Sequence, residues 1–311
     1  MEWNNLKKIL AIINPVSAGS KTEKIWPKYK EIFLNADINL DEVFTTHPEH
    51  AVQIAQEAAK NSYNYVMAVG GDGTVNEIIN GLIIADGLNN IGTKLIIFAQ
   101  GTGSDLIRSL DISSDINDVI EIIERKKVKY LDVVKAEYLS HSGEEKSRYF
   151  INVGDCGLGA EVVYRVNKSK KIIGGSFSYL LAVFTTLIKF KNKSAELIVD
   201  GKKAFTGNLS NVIIANGKYF GGGIKVAPQA ELDNGKLNII LLKDFKKLAI
   251  AYNLFKAYDG KHLDHPLVES LTAKTIKISS EEKIALEIDG ETIGTSPVSF
   301  SVFKQKIPIL N

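Results

Sequence analysis

The sequence predicts two domains: an N-terminal α/β domain with a mostly parallel, doubly wound sheet, and a mainly antiparallel β C-terminal domain. Three observations predict this. The chain has 311 residues, enough for two cores of roughly 150 residues each. Its first part repeats a strand-loop-helix pattern, which argues for parallel strands joined by crossover helices. After about residue 130 the pattern becomes short apolar runs divided by turn signals, the mark of antiparallel β structure.

Ile9–Ile13 is an apolar run that reads as a buried strand, ended by Asn14-Pro15-Val16-Ser17-Ala18-Gly19-Ser20. A helix over 22–34 follows, with Ile25, Tyr29, Ile32 and Phe33 at helical spacing. Residues 41–44 read as a strand, 50–59 as an alanine-rich helix and 63–69 as a strand. Gly70-Gly71-Asp72-Gly73-Thr74 then turns into a helix, where Thr74 and Glu77 have the spacing of a capping box. Residues 94–99 form the next strand, followed by Gln100-Gly101-Thr102-Gly103-Ser104-Asp105 and a helix through Leu110. Beyond it, strand-like runs occupy 133–138, 149–153, 195–199, 212–215, 237–242, 276–278 and 284–288. Asp200-Gly201, Asp233-Asn234-Gly235 and Asp289-Gly290 punctuate them, and helical patterns over 177–190 and 248–258 interrupt them.

Composition narrows the function classes. With 45% hydrophobic and 24% charged residues, the chain is neither collagen-like, coiled-coil nor largely disordered. Its 38 basic and 36 acidic residues leave a net charge of +2, which carries no signature of nucleic-acid binding. One cysteine, Cys156, excludes an internal disulfide and a multi-cysteine zinc site; its place beside glycines predicts a small buried residue in a turn. The run at 9–13 is too short for a secretory segment. The apolar stretch 179–188 is too short to span a bilayer, which wants about 20 residues. These features predict a cytoplasmic protein that can touch a membrane. The run Lys168-Ser169-Lys170-Lys171, close before the apolar helix at 177–190, suits an anionic bilayer. His47 with His50, and His262 with His265, have only i,i+3 spacing and no third histidine or cysteine nearby. That favours surface loops over metal ligands.

The three N-terminal loops carry the chemistry. Loops at the carboxyl ends of parallel strands bind ligands in open α/β sheets, and helix N-termini behind them suit phosphate. A dinucleotide fingerprint would need a third glycine where Asn76 stands. A Walker A loop fails because Gly19-Ser20-Lys21-Thr22 carries an inserted serine and Asn14 replaces the first glycine. Asp72 is the unusual member, since a carboxylate in a phosphate-cradling turn repels phosphate unless a cation intervenes. It therefore predicts Mg²⁺, with an Asp capping its own turn as the plainer alternative.

These residues resemble the bacterial diacylglycerol kinase-type lipid kinases. The likeness runs in order through Asn14-Pro15, residues 70–77, Gly101-Thr102 with Asp105, Phe150-Ile151-Asn152-Val153-Gly154, Phe220-Gly221-Gly222-Gly223, Pro228 to Gly235, and Ile288-Asp289-Gly290-Glu291. The resemblance implies an ATP- and Mg²⁺-dependent kinase acting on a lipid hydroxyl at the membrane surface. The domains would be 1–132, with 292–311 returning to it, and 133–291, the site lying in the cleft between them. ATP would rest on Asn14, Pro15, Val16, Ser17, Ala18, Thr45, Gly70, Gly71, Gly73, Thr74, Val75, Asn76 and Thr102, with Glu291 closing on it. Asp72, Asp105 and Asp132 would organise catalytic Mg²⁺. Asp289 would be the general base; in the related sphingosine kinases the glycine-loop carboxylate takes that role, which makes Asp72 the alternative. Without the family, Asp289-Gly290 also reads as a hairpin turn.

Three departures stand out. Ala99 and Ser104 replace the family's proline and asparagine around the third loop, and Asn234 replaces the second Asp of an Asp-Asp-Gly metal site. A structural Mg²⁺ there would use Asn234 with the backbone carbonyls of Glu231 and Lys236. The rival readings are an NAD kinase-like small-molecule kinase and a non-catalytic lipid- or nucleotide-sensing module. The acceptor lipid and the assembly stay open, a homodimer included.

Overall fold

The computed structural model describes residues 8–86, 91–101, 104–168 and 175–311. Thr102 and most of the basic run at 168–171 therefore lie outside the described residues. The chain divides into two units, Met1–Leu131 with Lys304–Asn311, and Asp132–Phe303.

The first unit holds strands β1 (Ile9–Ile13), β2 (Asp41–Phe44), β3 (Tyr65–Gly70) and β4 (Lys94–Ala99), with helices α1 (Thr22–Asn35), α2 (His50–Lys60), α3 (Asp72–Asp86), α4 (Asp105–Leu110) and α5 (Ile116–Arg125). The strand order is β2-β1-β3-β4, and the pairs run parallel. Ile309, from the end of the chain, joins the β4 edge opposite Leu95. β1 and β3 are buried along their whole length, the mark of strands covered on both faces. On one face, Trp26 and Phe33 of α1 and Val119 and Ile123 of α5 pack against Met67 and Phe98. The register sets Ile13 beside Val69 and Val69 beside Phe98, so the three glycine-rich loops leave the sheet side by side.

The second unit holds most of β5 (Val128–Ser140), then β6 (Glu145–Phe150), β7 (Val153–Gly157), α6 (Leu158–Lys168), α7 (Gly175–Lys189), β8 (Lys193–Val199), β9 (Lys202–Ala215), β10 (Leu237–Lys243), α8 (Lys247–Ala257), β11 (Val268–Ala273), β12 (Thr275–Ser279) and β13 (Ala285–Ile288). The last strand, β14 (Glu291–Leu310), starts here and ends in the first unit. β11, β10, β9, β7, β13 and β14 pair in that order, antiparallel throughout. Alternate side chains of these strands, including Phe150, Leu197, Val212, Ile239, Ile276 and Phe300, make one core.

Several local expectations are corrected. α3 begins at Asp72, so Thr74 lies inside its first turn. Glu77 does not box with it: its two oxygens accept the N–H groups of Glu49 and Ala51, at 3.0 and 3.2 Å, at the start of α2. The run at 149–153 straddles the end of β6 and the start of β7, and Cys156 lies in β7 rather than in a turn. It is buried as expected, and burial pushes its thiol well up. His262 is buried, not on the surface. α5 and α6 lie outside the elements the sequence pattern predicts.

Candidate active site

In the first unit the loops are tied to one another by backbone and short polar side chains. Asn14 donates its amide N–H to Thr74 Oγ1 at 3.0 Å, joining the first loop to the second. Its Oδ1 accepts the Val16 N–H at 3.1 Å, and Ser17 Oγ donates to the Asn14 carbonyl at 2.8 Å. Ala18 and Gly19 sit in the left-handed region, with φ of 52° and 69°, so residues 17–20 form a turn rather than a regular helix. Pro15 and Val16 follow Asn14 in this loop, where Val16 is exposed, and the Thr45 N–H donates to the Ile13 carbonyl at 2.8 Å. Asn76 is buried in α3, where Asn80 donates to its carbonyl at 2.8 Å; Val75 is buried beside it.

Glycines let the second and third loops approach closely. A Cβ on Gly101 would lie 2.6 Å from the Gly71 Cα, a distance no side chain occupies. The backbone N–H of Gln100 donates to the Gly70 carbonyl at 2.8 Å. Gly73 and Thr74 continue from this contact into the first turn of α3.

Asp72 sits at this junction. Its Oδ2 and Oδ1 accept the N–H groups of Asp105 and Leu106, at 3.1 and 3.4 Å. It therefore caps α4 rather than its own turn. Burial pushes its carboxyl above the usual range, opposed by those two N–H groups and by the Arg108 guanidinium. Asp105, buried beside it, pairs with Arg108 at 3.2 Å. Ser104, before α4, holds φ at 50° and donates its hydroxyl to the Gly101 carbonyl at 3.1 Å. Asparagine suits a left-handed position better than serine. Ser104→Asn is expected to raise stability by about 0.5–1 kcal/mol, read as an upward shift in melting temperature.

The second unit holds the remaining candidates. Asp132 is 1% exposed, and its Oδ2 accepts the Gly235 N–H at 2.6 Å. It thereby closes the turn that carries Glu231, Asn234 and Lys236. In that turn Asn234 Oδ1 accepts the Lys236 N–H at 3.0 Å, and its amide nitrogen faces Glu231 Oε2 at 3.4 Å. The Asn234 oxygen thus carries one N–H donor from its own turn and retains one acceptor site. Asn216, which sequence reasoning missed, donates to the carbonyls of Asp132 and Ile151, at 3.1 and 2.8 Å. The Oδ1 atoms of Asn216 and Asn152 are buried without a hydrogen-bond partner.

Asp289-Gly290 forms the hairpin turn between β13 and β14, with φ of 47° and 86°, as a two-residue turn of this hand requires. Asp289 Oδ1 accepts the Val153 N–H at 3.0 Å, and its own N–H donates to the Val153 carbonyl. Glu291 pairs with Arg148 at 2.8 Å.

Among the described residues, no three acidic, histidine or cysteine side chains come close enough to hold a metal by themselves. Mg²⁺ commonly takes one or two carboxylates and completes its shell with phosphate oxygens and water. Asp72 fits that pattern, since each of its oxygens carries one N–H donor and retains an acceptor site. The histidines fit no metal: His50 Nδ1 accepts the Thr46 N–H at 3.1 Å, and His262 Nε2 bonds the Val226 carbonyl at 3.1 Å.

Residues 8–136 match the family described as diacylglycerol kinase catalytic domain, and residues 152–311 match the YegS C-terminal NAD kinase beta sandwich-like domain. A diacylglycerol kinase of Staphylococcus haemolyticus is 29% identical over 298 residues, covering 96% of this chain and 86% of that protein. Another, from Staphylococcus carnosus, is 28% identical over 304 residues, covering 97% and 94%. Among solved structures, a diacylglycerol kinase from Bacillus anthracis has a TM-score of 0.71 at 23% identity, covering 98% and 96% of the two chains. An NAD kinase from Archaeoglobus fulgidus in complex with ATP has a TM-score of 0.53 at 13% identity, covering 97% and 93%. The last two likenesses concern the fold alone.

Proposed function

Because the chain belongs to the diacylglycerol kinase-type lipid kinases, which transfer phosphate to an alcohol group, we propose that it phosphorylates a lipid hydroxyl from Mg²⁺-bound ATP. One observation carries the nucleotide half: Asp72 stands in the first turn of α3 with its carboxylate on the N-terminus of α4. Helix N-termini attract phosphate, and a carboxylate among them calls for a cation. The loops at 14–18 and 70–76, with Thr45 and Thr102, hold the nucleotide. Mg²⁺, when bound, neutralises charge on the transferring phosphoryl group. Asp72 and Asp105 would hold it, and Asp132 is the third carboxylate assigned to it. Asp289 accepts the proton of the lipid hydroxyl, while Glu291 contacts the nucleotide. Phosphoryl transfer needs little more than such positioning.

The lipid half rests on the second unit. Leu158, Val162, Val183, Phe245, Ile250 and Leu254 line an apolar cavity of about 100 Å³, beneath α6, α7 and α8. The outer faces of α7 and α8 expose Leu181, Phe184, Ile188, Leu248, Tyr252 and Phe255. Lys247 Nζ donates to the Ile188 carbonyl at 2.5 Å, which ties the start of α8 to the end of α7. Lysines 189, 246, 247 and 256 flank them. No helix among the described residues is long and apolar enough to cross a membrane. We therefore assign this face to an anionic bilayer surface, from which one acyl chain reaches the cavity. Each buried CH₂ contributes about 0.8 kcal/mol, so the chain end never needs to enter water. Leu248→Glu with Tyr252→Glu is expected to lower binding to phosphatidylglycerol vesicles about tenfold or more, read by flotation, with the kinase's ATP affinity unchanged.

The direct test incubates the protein with labelled ATP, Mg²⁺, a panel of micellar lipids and NAD. Label in a lipid is the expected result. Label in NAD alone overturns the lipid reading, and label in no acceptor identifies a sensing module.

A further inference from the structure

Two carboxyl groups that the reaction does not use are buried side by side in the second unit. Asp155 on β7 and Glu287 on β13 stand directly opposite each other, at 0% and 1% exposure. Among the described residues, no lysine, arginine or histidine pairs with either. Their hydrogen bonds differ in a telling way. Asp155 Oδ1 accepts the Ala160 N–H at 2.9 Å, in the first turn of α6, and its Oδ2 accepts from the Asn211 amide. Glu287 has a single donor, the Gly290 N–H, 2.9 Å from its Oε2. Two carboxyl groups buried on opposed strand positions disfavour each other's ionisation. The helix N-terminus and the Asn211 amide favour the charge on Asp155, which leaves the proton on Glu287.

We propose that Glu287 is a positioning residue for phosphoryl transfer: buried opposite Asp155 and kept neutral there, it holds the Gly290 N–H and so fixes the turn that presents Asp289. The proposal rests on the reading of Asp289 as the base. The charged surroundings agree with it. Asp155 faces Glu287 from β7 and Asp289 from its own turn, and both oppose a second charge. On the neighbouring elements, Glu291 of β14 is paired with Arg148, and Glu161 of α6 lies 3.8 Å from Lys193. Burial pushes Asp155 up to about 7 and Glu287 well above the usual carboxyl range.

The linkage has a definite sign. In the folded chain the two groups hold their protons to higher pH than in the unfolded chain, which releases them near pH 4 (about 3.9 for Asp and 4.3 for Glu). The stability this pair contributes is therefore fully present in acid and is lost as the pH rises through the folded values. The test measures melting temperature from about pH 5 to about pH 9.5 for the wild type, Glu287→Gln and Asp155→Asn, with kcat and KM for ATP alongside. The wild type is expected to lose melting temperature as the pH rises, and both variants to flatten that loss. Glu287→Ala, which offers Gly290 no acceptor, is expected to lower kcat about tenfold at unchanged KM for ATP, and Glu287→Gln to rescue it. A flat wild-type profile, or an unchanged slope in Glu287→Gln, overturns the neutral Glu287. Full kcat in Glu287→Ala overturns the positioning role. The melting profiles need no turnover, so they decide the protonation of the pair even if the lipid-kinase reading fails.

Discussion

Asp72→Asn is expected to lower lipid-dependent ATP turnover by about three orders of magnitude while leaving the fold in place. The two effects separate for a physical reason. Burial already disfavours the charge on Asp72, so a neutral amide of the same shape adds no desolvation penalty. Its oxygen can still accept one of the two N–H groups at the start of α4. What the amide cannot supply is the negative charge that holds Mg²⁺ against the phosphates. The concentration of Mg²⁺ giving half-maximal rate should therefore rise in Asp72→Asn. Asp289→Asn removes a proton acceptor instead, and should lower kcat by about 10²–10⁴ with the Mg²⁺ dependence unchanged. Circular dichroism and Mg²⁺ titrations of both variants check this. If Asp289→Asn keeps full kcat, the base role passes to Asp72.

Gly101→Ala is expected to abolish the rise in melting temperature that ATP produces, and turnover with it. Any Cβ at 101 lies 2.6 Å from the Gly71 Cα. The Gly71 Cα is backbone and a Cβ is fixed in place by its own backbone, so neither can rotate away, and the two loops must part. That movement would also break the bond from the Gln100 N–H to the Gly70 carbonyl and shift α4 from under Asp72. Overpacking of this kind costs about 1–3 kcal/mol. Gly92→Ala is the control, since a Cβ there has nothing within 4 Å. Thermal shift with and without ATP reads both variants; equal ATP responses would refute the close-contact account.

Much of the candidate site was legible because strand ends and loops are local. Ile9–Ile13 and Lys94–Ala99 have the bounds that their apolar runs predict. Asp72, Asp105 and the glycines around them stood out because acidic and glycine residues have no packing reason to cluster after buried strands. The capping box at Thr74 and Glu77 failed for a tertiary reason. Thr74 Oγ1 is occupied by Asn14, sixty positions earlier in the chain, and Glu77 finds N–H donors on another helix. Local spacing cannot report a partner that distant.

Glu287 marks the limit most clearly. In Leu286-Glu287-Ile288 the alternation places the two apolar residues inward and the glutamate outward, on a face that reads as solvated. The outward face is covered as well, so the carboxyl is buried opposite Asp155. Sequence by itself determined the two kinds of sheet, the order of the loops and the identity of the acidic candidates, because period, turn chemistry and residue type are written along the chain. Only the tertiary structure decided which donors each carboxylate meets and which carboxyls burial drives toward the neutral form. Those outcomes depend on burial and on neighbours brought together from distant positions, and low dielectric makes each of them count far more than it would in water.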